Sequence, residues 1–356
     1  MPAGLQFYRP GPWSPNLGRP GWLRRWISRR RLRRARQLLR DRGCSKIVLY
    51  LWRPYFANSL DLVDHELSCY HIDDEYSFSP VERGLDPAEV QLIRKVDQVF
   101  VHSPAMMGKK GGLNPNSQLI PNGVDYRRYV TPAPEPAEFQ NIRKPRIGYT
   151  GNLKDALDWS LLLELSDAHP EWSFVFVGHM LAHGEVQGLV PELSRRKNIH
   201  LLGSRSTELI PDYVQHLDVC IMPYKINDYT KYIYPLKLHE YLASGNPVVG
   251  SPIACLQAFQ EVVLLANGTR EWSSMISRAL SPAEKTFERC AVRQRVAAGY
   301  DWDHLVQQLA ATLARRLGCA FHEVKDSNNQ DLRGQSPLGD SSDREDAIAS
   351  SAGRNQ

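Results

Sequence analysis

The sequence predicts an α/β protein with two parallel sheets, and three observations carry this prediction. Six short runs rich in β-branched and aromatic residues alternate with helical stretches between residues 145 and 266, and four similar runs lie between residues 46 and 123. The runs are apolar along their whole length, as expected for strands of a parallel sheet that is covered on both faces. The chain has 356 residues, of which 42% are apolar, and this is enough for two cores.

The predicted strands set the domain boundaries. Residues 1–130 are predicted to form a first domain and residues 145–320 a second domain. Prolines in the segment VTPAPEPAEF favour an extended connector without a packed element, so residues 131–144 are predicted to be a linker. Residues 321–356 contain few large apolar side chains, so a disordered tail is expected. The strand segments are, in chain order, KIVLYLW, LSCYHID, DQVFVHS, SQLIPNG, RIGYTG, WSFVFVG, NIHLLG, DVCIMPY, NPVVG and EVVLLAN.

The first domain is short for a domain of this type. A complete one has about six strands, so two missing strands correspond to a deficit on the order of 60 to 80 residues. A misassigned start or a natural truncation would account for the deficit and would expose a sheet edge. The last predicted helix has leucines at every fourth position, namely Leu305, Leu309, Leu313 and Leu317. We expect this helix to pack on the second domain or to cross back to the first.

Composition limits the cellular setting. The six cysteines are scattered and form no CxxC pair, which indicates reduced thiols and no zinc site. No stretch reaches the roughly 18 to 20 apolar residues of a membrane span, and the first residues lack the apolar segment of a signal peptide. We therefore expect a cytoplasmic protein, peripheral on the inner face of the membrane.

The net charge of +5 is concentrated in one segment. Residues 19–42 contain eleven arginines and a single acid, Asp41. Residues 21–42 are predicted to form a basic helix with tryptophans, and such a helix binds an anionic membrane surface. Packing against the first sheet with solvated arginines is the alternative. We expect no nucleic acid partner, because no nucleic-acid-binding motif accompanies the charge.

Several motifs lie where strands end, which is where open α/β sheets bind ligands. In RIGYTGNLKD, Gly151 follows a strand and allows a phosphate to approach the backbone. In YPLKLHEYLASGNPVVG, a helix is expected after Pro235, with its C-cap at Gly245. Lys237 and Glu240 are three residues apart on that helix, so they share a face near its start.

Together these segments resemble the retaining glycosyltransferases of the GT-B fold, family four type, and within them the teichuronic-acid biosynthesis subgroup. The resemblance runs from about Leu60 to Leu317. It implies two Rossmann-like domains, the first lacking its N-terminal strands. The segments that carry it are CYHIDDEYSF, DQVFVHS, IPNGVD, IGYTGNL, the run from Gly203 to Tyr224, PLKLHEYLASGNPVV and RVAAGYDWDHL.

The resemblance implies a nucleotide-sugar site in the second domain. Glu240 would bind the ribose, and Lys237 and Arg205 would bind the diphosphate and stabilise it as it leaves. The remaining residues implied in this site are Gly151, Asn152, Lys154, Leu209 and Tyr224. No acidic pair stands where a metal-bridged diphosphate would need it, so neither a metal nor a cofactor is expected beyond the donor sugar itself.

The first domain would hold the acceptor. By position, Asp73, Asp74, His102 and Ser103 would face the transferred sugar, with Asp73 and His102 as catalytic candidates. The sequence departs from the family pattern at Tyr232, where many members have a first glutamate eight positions before the second. Asn152 and Asp158 likewise stand where members often have cations.

The function implied by the resemblance is that of a hexosyl-type glycosyltransferase. It would transfer a sugar from a nucleoside-diphosphate sugar to a cell-surface polysaccharide or a lipid-linked acceptor, with retention at the anomeric carbon. The alternative is a catalytically inactive protein of the same fold that acts through membrane or partner association. The tyrosine at position 232 and the short first domain favour this alternative.

Overall fold

A computed structural model describes residues 21–77, 79–180 and 184–320. The described residues up to Cys319 belong to one compact unit that contains two parallel sheets. The α/β class predicted from the strand pattern is therefore confirmed. The tail expected at residues 321–356 lies outside the described residues.

The first sheet consists of four parallel strands whose spatial order is their chain order. These are the four strands predicted from the sequence. Its helices α2 and α3 each begin with proline after a capping side chain, because Asp86 accepts from the backbone of Ala88 and Ser103 from that of Met106. The elements are β1 (Val48–Leu51), β2 (Leu67–Ile72), β3 (Gln98–Val101), β4 (Ser117–Leu119), α2 (Pro87–Lys95) and α3 (Pro104–Lys110), with 3-10 segments at Pro54–Asp61 and Gly111–Leu113.

A helix precedes the first sheet, as the basic segment predicted. Helix α1 (Gly21–Arg40) buries only Ile27 among its side chains. Arg36 donates to the carbonyl of Asp64 at 3.0 Å, and Arg40 pairs with Glu66, so both contacts with the first domain are near the end of the helix. Trp22 is 73% exposed and Trp26 is 55% exposed. The first half of α1 therefore presents arginines and tryptophans to solvent.

The second sheet has six parallel strands in the spatial order β10-β9-β8-β5-β6-β7. The direction of winding reverses between β5 and β8, and such a switch point is where open α/β sheets bind ligands. The strands are β5 (Arg146–Thr150), β6 (Ser173–Val177), β7 (Ile199–Gly203), β8 (Val219–Met222), β9 (Val248–Gly250) and β10 (Val263–Leu265). All six were predicted from the sequence.

Helices cover both faces of the second sheet, and one core cluster joins them to the strands. The helices that follow β4 are α4 (Tyr126–Val130), α5 (Trp159–Ala168), α6 (Glu185–Arg195), α7 (Ile210–Gln215), α8 (Lys237–Ser244), α9 (Ala254–Gln257), α10 (Gly268–Leu280), α11 (Phe287–Ala298) and α12 (Trp302–Leu317), with 3-10 segments at Ala137–Asn141 and Pro282–Lys285. Of these helices, α12 packs on the first sheet. Helix α8 ends at Gly245, whose φ of +80° is the left-handed conformation expected of a glycine C-cap.

The last helix, α12, crosses back to the first domain. Leu305 is buried against Leu67 and Phe100 of the first sheet, and the next three leucines of the stripe pack on the same cluster. At the end of α12, Lys46 donates to the carbonyl of Leu317. The structure thus decides between the two positions that the sequence left open for this helix.

The prediction of a connector without packed elements was wrong. Within residues 131–144 the chain forms the 3-10 segment Ala137–Asn141, and Phe139 is fully buried in the core of the second domain. The guanidinium of Arg146 lies 4.7 Å from the centre of the Phe139 ring. The prolines keep the surrounding backbone extended, but burial of one large aromatic side chain anchors this stretch to the second sheet.

Candidate functional site

Gly151 and Lys237 meet at the carboxyl edge of the second sheet. Gly151 follows β5 with a φ of +127°, and Lys237 is the first residue of α8. A Cβ atom at Gly151 would lie 2.7 Å from the Nζ atom of Lys237, so the ammonium group lies directly against this residue, whose positive φ favours glycine. This ammonium group also lies 4.9 Å from the centre of the Tyr149 ring. The switch point of the sheet therefore presents a half-buried cation beside a half-buried glycine.

A second glycine, which sequence reasoning did not select, makes the strand ends approach closely. A Cβ atom at Gly178 would lie 2.0 Å from the carbonyl oxygen of Gly151, which no side chain tolerates. The backbone of Gly178 continues the sheet by donating to Gly203 at 2.9 Å. A glycine directly after the strand WSFVFV was the available signal.

Lys154 lies in the same electrostatic neighbourhood as Lys237. Burial lowers the pKa of Lys154, the charge of Asp74 opposes that shift, and the charge of Lys237 adds to it. Its Nζ atom is 3.5 Å from the hydroxyl of Tyr229. Two lysines that repel one another in a partly buried place form a site suited to an anion with two or more charges.

Asp74 reaches this place from the first domain, after the end of β2. Burial raises the pKa of Asp74, while a bond from the amide of Glu75 and the charge of Lys154 oppose the rise. Burial also raises the pKa of Tyr229, and the charge and hydrogen bond of Asp74 add to this. Asp74, Tyr229 and Lys154 thus bring both domains to one site. Sequence reasoning missed Tyr229, for which no motif gave a signal.

Glu240 lies one helical turn after Lys237, as the spacing predicted. Burial raises the pKa of Glu240, whereas the charge of Lys237 and a hydrogen bond with Tyr129 lower it. Tyr129 comes from α4 and is itself buried. The carboxyl group is therefore held by α4 on one side and by a lysine on the other.

Three main-chain amides in the first turn of α8 already donate hydrogen bonds within the chain. The backbone N–H groups of Leu238 and His239 donate to Pro235 and Leu236 at 3.1 and 3.2 Å, and that of Glu240 also donates to Leu236. These three amides are therefore not free to bind a phosphate. The side chain of Lys237 is the group that α8 presents.

Arg205 is engaged away from Lys237. Its guanidinium donates to Glu138 at 2.8 Å, to the hydroxyl of Tyr213 at 2.8 Å, and to the carbonyl of Ser204 at 2.9 Å. The bonds with Tyr213 and Glu138 raise the pKa of Arg205. In this arrangement the structure does not bring Arg205 together with the two lysines.

The other second-domain candidates differ in exposure. Asn152 is exposed next to Gly151, and Leu209 is exposed at the start of α7. Tyr224 is buried in the core, where it forms an isolated bridge with Leu157. Asn152 and Leu209 are therefore accessible to a ligand, and Tyr224 supports the site from inside the sheet.

The remaining first-domain candidates already have partners. Asp73 pairs with Arg53 and accepts from the hydroxyl of Tyr76. His102 is buried, with its Nδ1 atom 2.9 Å from the carbonyl of Ile72, and burial lowers its pKa. Ser103 donates to the carbonyl of Tyr232 in the second domain at 3.0 Å. Asp74 is the acidic candidate that the structure brings to the lysines.

Neither a metal-ligand cluster nor a membrane-spanning helix occurs among the described residues. Over residues 21–77, 79–180 and 184–320, no three His, Cys, Asp or Glu side chains group as metal ligands would. Across the same part of the chain, no helix has both the length and the apolarity needed to cross a bilayer.

The sequence of this chain is similar to those of known glycosyltransferases. Residues 144–281 match the sequence model of the family described as glycosyl transferases group 1. Over 234 residues the chain is 27% identical to TuaH of Bacillus subtilis (strain 168), a teichuronic acid biosynthesis glycosyltransferase by its name. This match covers 62% of the chain and spans 58% of the length of TuaH.

Solved structures share the fold. HepE of Anabaena, crystallised with UDP and glucose, has a TM-score of 0.60 and 18% identity, covering 75% of this chain and 77% of its own. The UDP-forming α,α-trehalose-phosphate synthase from Burkholderia xenovorans also has a TM-score of 0.60, with 16% identity over 84% of this chain and 80% of its own. The two parallel sheets of this chain thus share the GT-B fold of these structures, and residues 144–281 are similar in sequence to the glycosyl transferases group 1 family.

Proposed function

We propose that this protein is a glycosyltransferase that moves a hexosyl group from a nucleoside-diphosphate sugar to a polysaccharide or lipid-linked acceptor. The observation that carries the proposal is the arrangement of Gly151, Lys154 and Lys237 at the switch point of the second sheet. Two cations beside a residue without a side chain, at the carboxyl ends of the strands, suit a diphosphate.

The two lysines act on the leaving group. As the bond between sugar and diphosphate breaks, negative charge grows on the phosphate oxygens and positive character grows at the anomeric carbon. Cations that are already in place stabilise this charge separation without reorganising. Lys237 and Lys154 supply the charge, and Arg205 joins them once the phosphate competes with Glu138 for its guanidinium. No metal ion is required in this scheme.

Glu240 and the first domain complete the site. The carboxylate of Glu240 accepts hydrogen bonds from the ribose hydroxyls, and the exposed Leu209 and Asn152 lie where the base and the phosphates enter. Asp74 faces the transferred sugar, with Asp73 and His102 behind it. The acceptor attacks on the face from which the diphosphate departs, so the anomeric configuration is retained without an enzyme nucleophile. The name of TuaH supports a cell-surface glycan as the acceptor.

The experiment that tests the donor site is ligand-induced thermal stabilisation. UDP, GDP, ADP and UDP-sugars at 100 times their Kd stabilise a binding protein by about 2.7 kcal/mol. We expect one nucleotide to stabilise the wild type, and Lys237→Met and Glu240→Ala to lose the effect. Lys285→Met is the matched control, because Lys285 pairs with Asp218 at the opposite edge of the sheet.

Turnover separates the proposal from its alternative. An enzyme releases the nucleoside diphosphate from the stabilising donor when an acceptor glycan is added. Stabilisation without any release would instead support an inactive binding protein, the reading favoured by the tyrosine at position 232. No stabilisation by any nucleotide would contradict both.

We further propose that α1 docks the enzyme on an anionic membrane surface, where a lipid-linked acceptor resides. Arg29, Arg30, Arg33 and Arg34 are exposed, and the guanidinium of Arg30 lies 5.7 Å from the centre of the Trp26 ring. Each arginine near an anionic bilayer contributes about 1 kcal/mol, and tryptophans favour the interface.

Sedimentation with vesicles of phosphatidylcholine and phosphatidylserine tests this docking. We expect the protein to sediment at low salt and to be released as salt increases, since the attraction is screened. Replacing the four exposed arginines by glutamate should abolish sedimentation. Unchanged sedimentation of that variant, or equal binding to vesicles without anionic lipid, would refute the docking.

A further inference from the structure

The loop between β8 and α8 connects the two domains at the proposed donor site. We call residues 223–236 the bridging loop. It carries Tyr229, whose hydroxyl is 3.5 Å from Lys154, and it leads directly into Lys237. The position of this loop on the first domain therefore sets how far both cations lie from the acceptor side.

Tyr232 inserts from the bridging loop into the first domain. Its side chain is 4% exposed and belongs to the core cluster of the first sheet, where it packs with residues such as Ile72 and Met106. The ammonium of Lys109, from α3, lies 4.4 Å from the centre of the Tyr232 ring. A residue of the second domain is thus an integral part of the first domain's core.

Hydrogen bonds hold Tyr232 at its side-chain hydroxyl and at its main-chain carbonyl. Its hydroxyl donates to Glu82, and its carbonyl accepts from the hydroxyl of Ser103 at 3.0 Å. Glu82 also pairs with Lys109 at 3.2 Å and with Lys231 at 3.6 Å. The bond from Tyr232, followed by the one from Lys109, lowers the pKa of Glu82, so its carboxylate is ionised at neutral pH.

Two further contacts fasten the bridging loop on either side of Tyr232. Before it, Asp228 donates its amide to Pro80 at 3.1 Å and accepts from the amide of Glu82 at 2.8 Å. After it, the side chain of Asn122 donates to the carbonyl of Tyr234 at 2.6 Å. The loop therefore runs along the first domain until three residues before Lys237.

We infer that Tyr232 is a positioning residue, which pins the bridging loop to the first domain and so sets Lys154 and Lys237 at a fixed distance from the acceptor side. The inference rests on the proposed function, because it concerns the same site. Group transfer requires donor and acceptor in near-contact geometry, and a displacement of about 1 Å costs on the order of 100-fold in rate. Tyr232 acts through the lysines and not by contact with the donor.

A positioning role for Tyr232 affects the rate of transfer but not the affinity for the nucleotide. A nucleotide alone is held by Lys237, Lys154 and Glu240, all of the second domain. Its affinity therefore does not depend on the contacts of Tyr232 with the first domain. The rate of transfer does depend on it, because the acceptor is held by the first domain. A residue that contacted the donor would change both quantities together.

The test compares Tyr232→Phe with Tyr234→Phe. Both tyrosines are buried in the same loop, at 4% and 6% exposure, but the Tyr234 hydroxyl bonds His239 at 3.0 Å within the second domain. We expect Tyr232→Phe to lower kcat about tenfold and to leave the Kd of the nucleotide within about twofold, as for loss of one bond to a carboxylate. Tyr234→Phe should keep kcat, and Glu82→Gln should reproduce Tyr232→Phe.

Hydrogen exchange gives a readout independent of activity. Amides of the bridging loop and of residues 79–82 should exchange faster in Tyr232→Phe than in wild type or Tyr234→Phe. Equal exchange in the three proteins would overturn the inference, and so would a nucleotide Kd that weakens in parallel with kcat. Faster exchange in a protein that binds no nucleotide would support the pin and refute the proposed function, so the two failures are distinguishable.

Discussion

The two sheets are built by the same rule but differ in how they complete their cores. The second sheet has six strands and one cluster whose members lie between Val124 and Ala297. The first sheet has four strands and two smaller clusters, and each contains a residue from far along the chain, Tyr232 in one and Leu305 in the other. The core of the second sheet is thus built from one continuous stretch of the chain. The core of the first sheet includes side chains from residues far along the chain.

This difference matches the division of the proposed site. Gly151, Lys154, Lys237 and Glu240 stand on the self-contained domain, and Asp74 comes from the domain that depends on its neighbour. A change in α12 or in the bridging loop should therefore affect the acceptor side before the donor side. The predictions below test this asymmetry, from the largest expected effect to the smallest.

The largest effect is expected for Leu305→Ala. Leu305 is 3% exposed and is the residue of α12 that the first-sheet cluster buries most deeply. Truncation of a buried leucine to alanine costs about 2 to 5 kcal/mol. Hydrogen exchange should show this loss in β1 to β4, while β5 to β10 and nucleotide binding change little.

Val306→Ala is the control for that prediction. Val306 follows Leu305 on the same helix but is 55% exposed, so its truncation removes little buried surface. Equal destabilisation of both sheets by Leu305→Ala would contradict the view that the first domain alone depends on α12.

A smaller effect is the acid sensitivity that His239 contributes to the second domain. The ring of His239 is fully buried, stacks 3.9 Å from that of Tyr300, and lacks a described hydrogen-bond partner for Nδ1. Burial lowers the pKa of His239 to about 3. In the unfolded chain, His239 takes up a proton near its ordinary pKa of about 6.5. The contribution of His239 to the free energy of unfolding is therefore constant above that pH and falls as pH decreases towards 3.

At pH 5 this group should reduce the free energy of unfolding by about 2 kcal/mol relative to pH 7, at 1.36 kcal/mol per pH unit. Urea unfolding at the two pH values checks the prediction. His239→Gln should remove that part of the pH dependence, and His304→Gln, on the exposed face of α12, should not. An unchanged slope in His239→Gln would place the acid sensitivity elsewhere.

The smallest effect concerns Arg205. If its pair with Glu138 competes with the phosphate, Glu138→Gln should tighten nucleotide binding by about twofold, because partly exposed ion pairs contribute only a few tenths of a kcal/mol. Isothermal titration with the stabilising nucleotide measures this. Asp167→Asn is the control, since it releases Arg196 from a similar pair at the ends of α5 and α6, on the opposite edge of the sheet. Unchanged affinity in Glu138→Gln would assign Arg205 a purely structural role.

Sequence reasoning predicted the local elements well because their signals are local. All ten strands were predicted, most of them as continuous apolar runs, and the glycine C-cap at Gly245 was expected where α8 ends. The three-residue spacing of Lys237 and Glu240 placed both on one face of a helix. Each of these predictions depends on residues that are close in the chain and on the repeat of a helix or strand.

The arrangement of the site could not be read in the same way. No motif marks Tyr229 as a neighbour of Lys154, and the position of Gly178 after a strand does not show that it lies against Gly151, since those contacts join separate loops. Arg205 was placed at the diphosphate by its position after a strand, but its partner Glu138 lies 67 residues earlier in the chain. The buried Phe139 likewise overrode the extended backbone that its flanking prolines favour.

The sequence by itself determined the class of fold, the order of strands along the chain and the identity of the groups available for chemistry, because periodicity and residue type act over short distances. Only the tertiary structure decided which of those groups meet: that α12 returns to the first sheet, that Tyr232 enters its core, and that Asp74 faces Lys154. These contacts join residues that are far apart in the chain, and they form because two incomplete apolar faces are removed from water together.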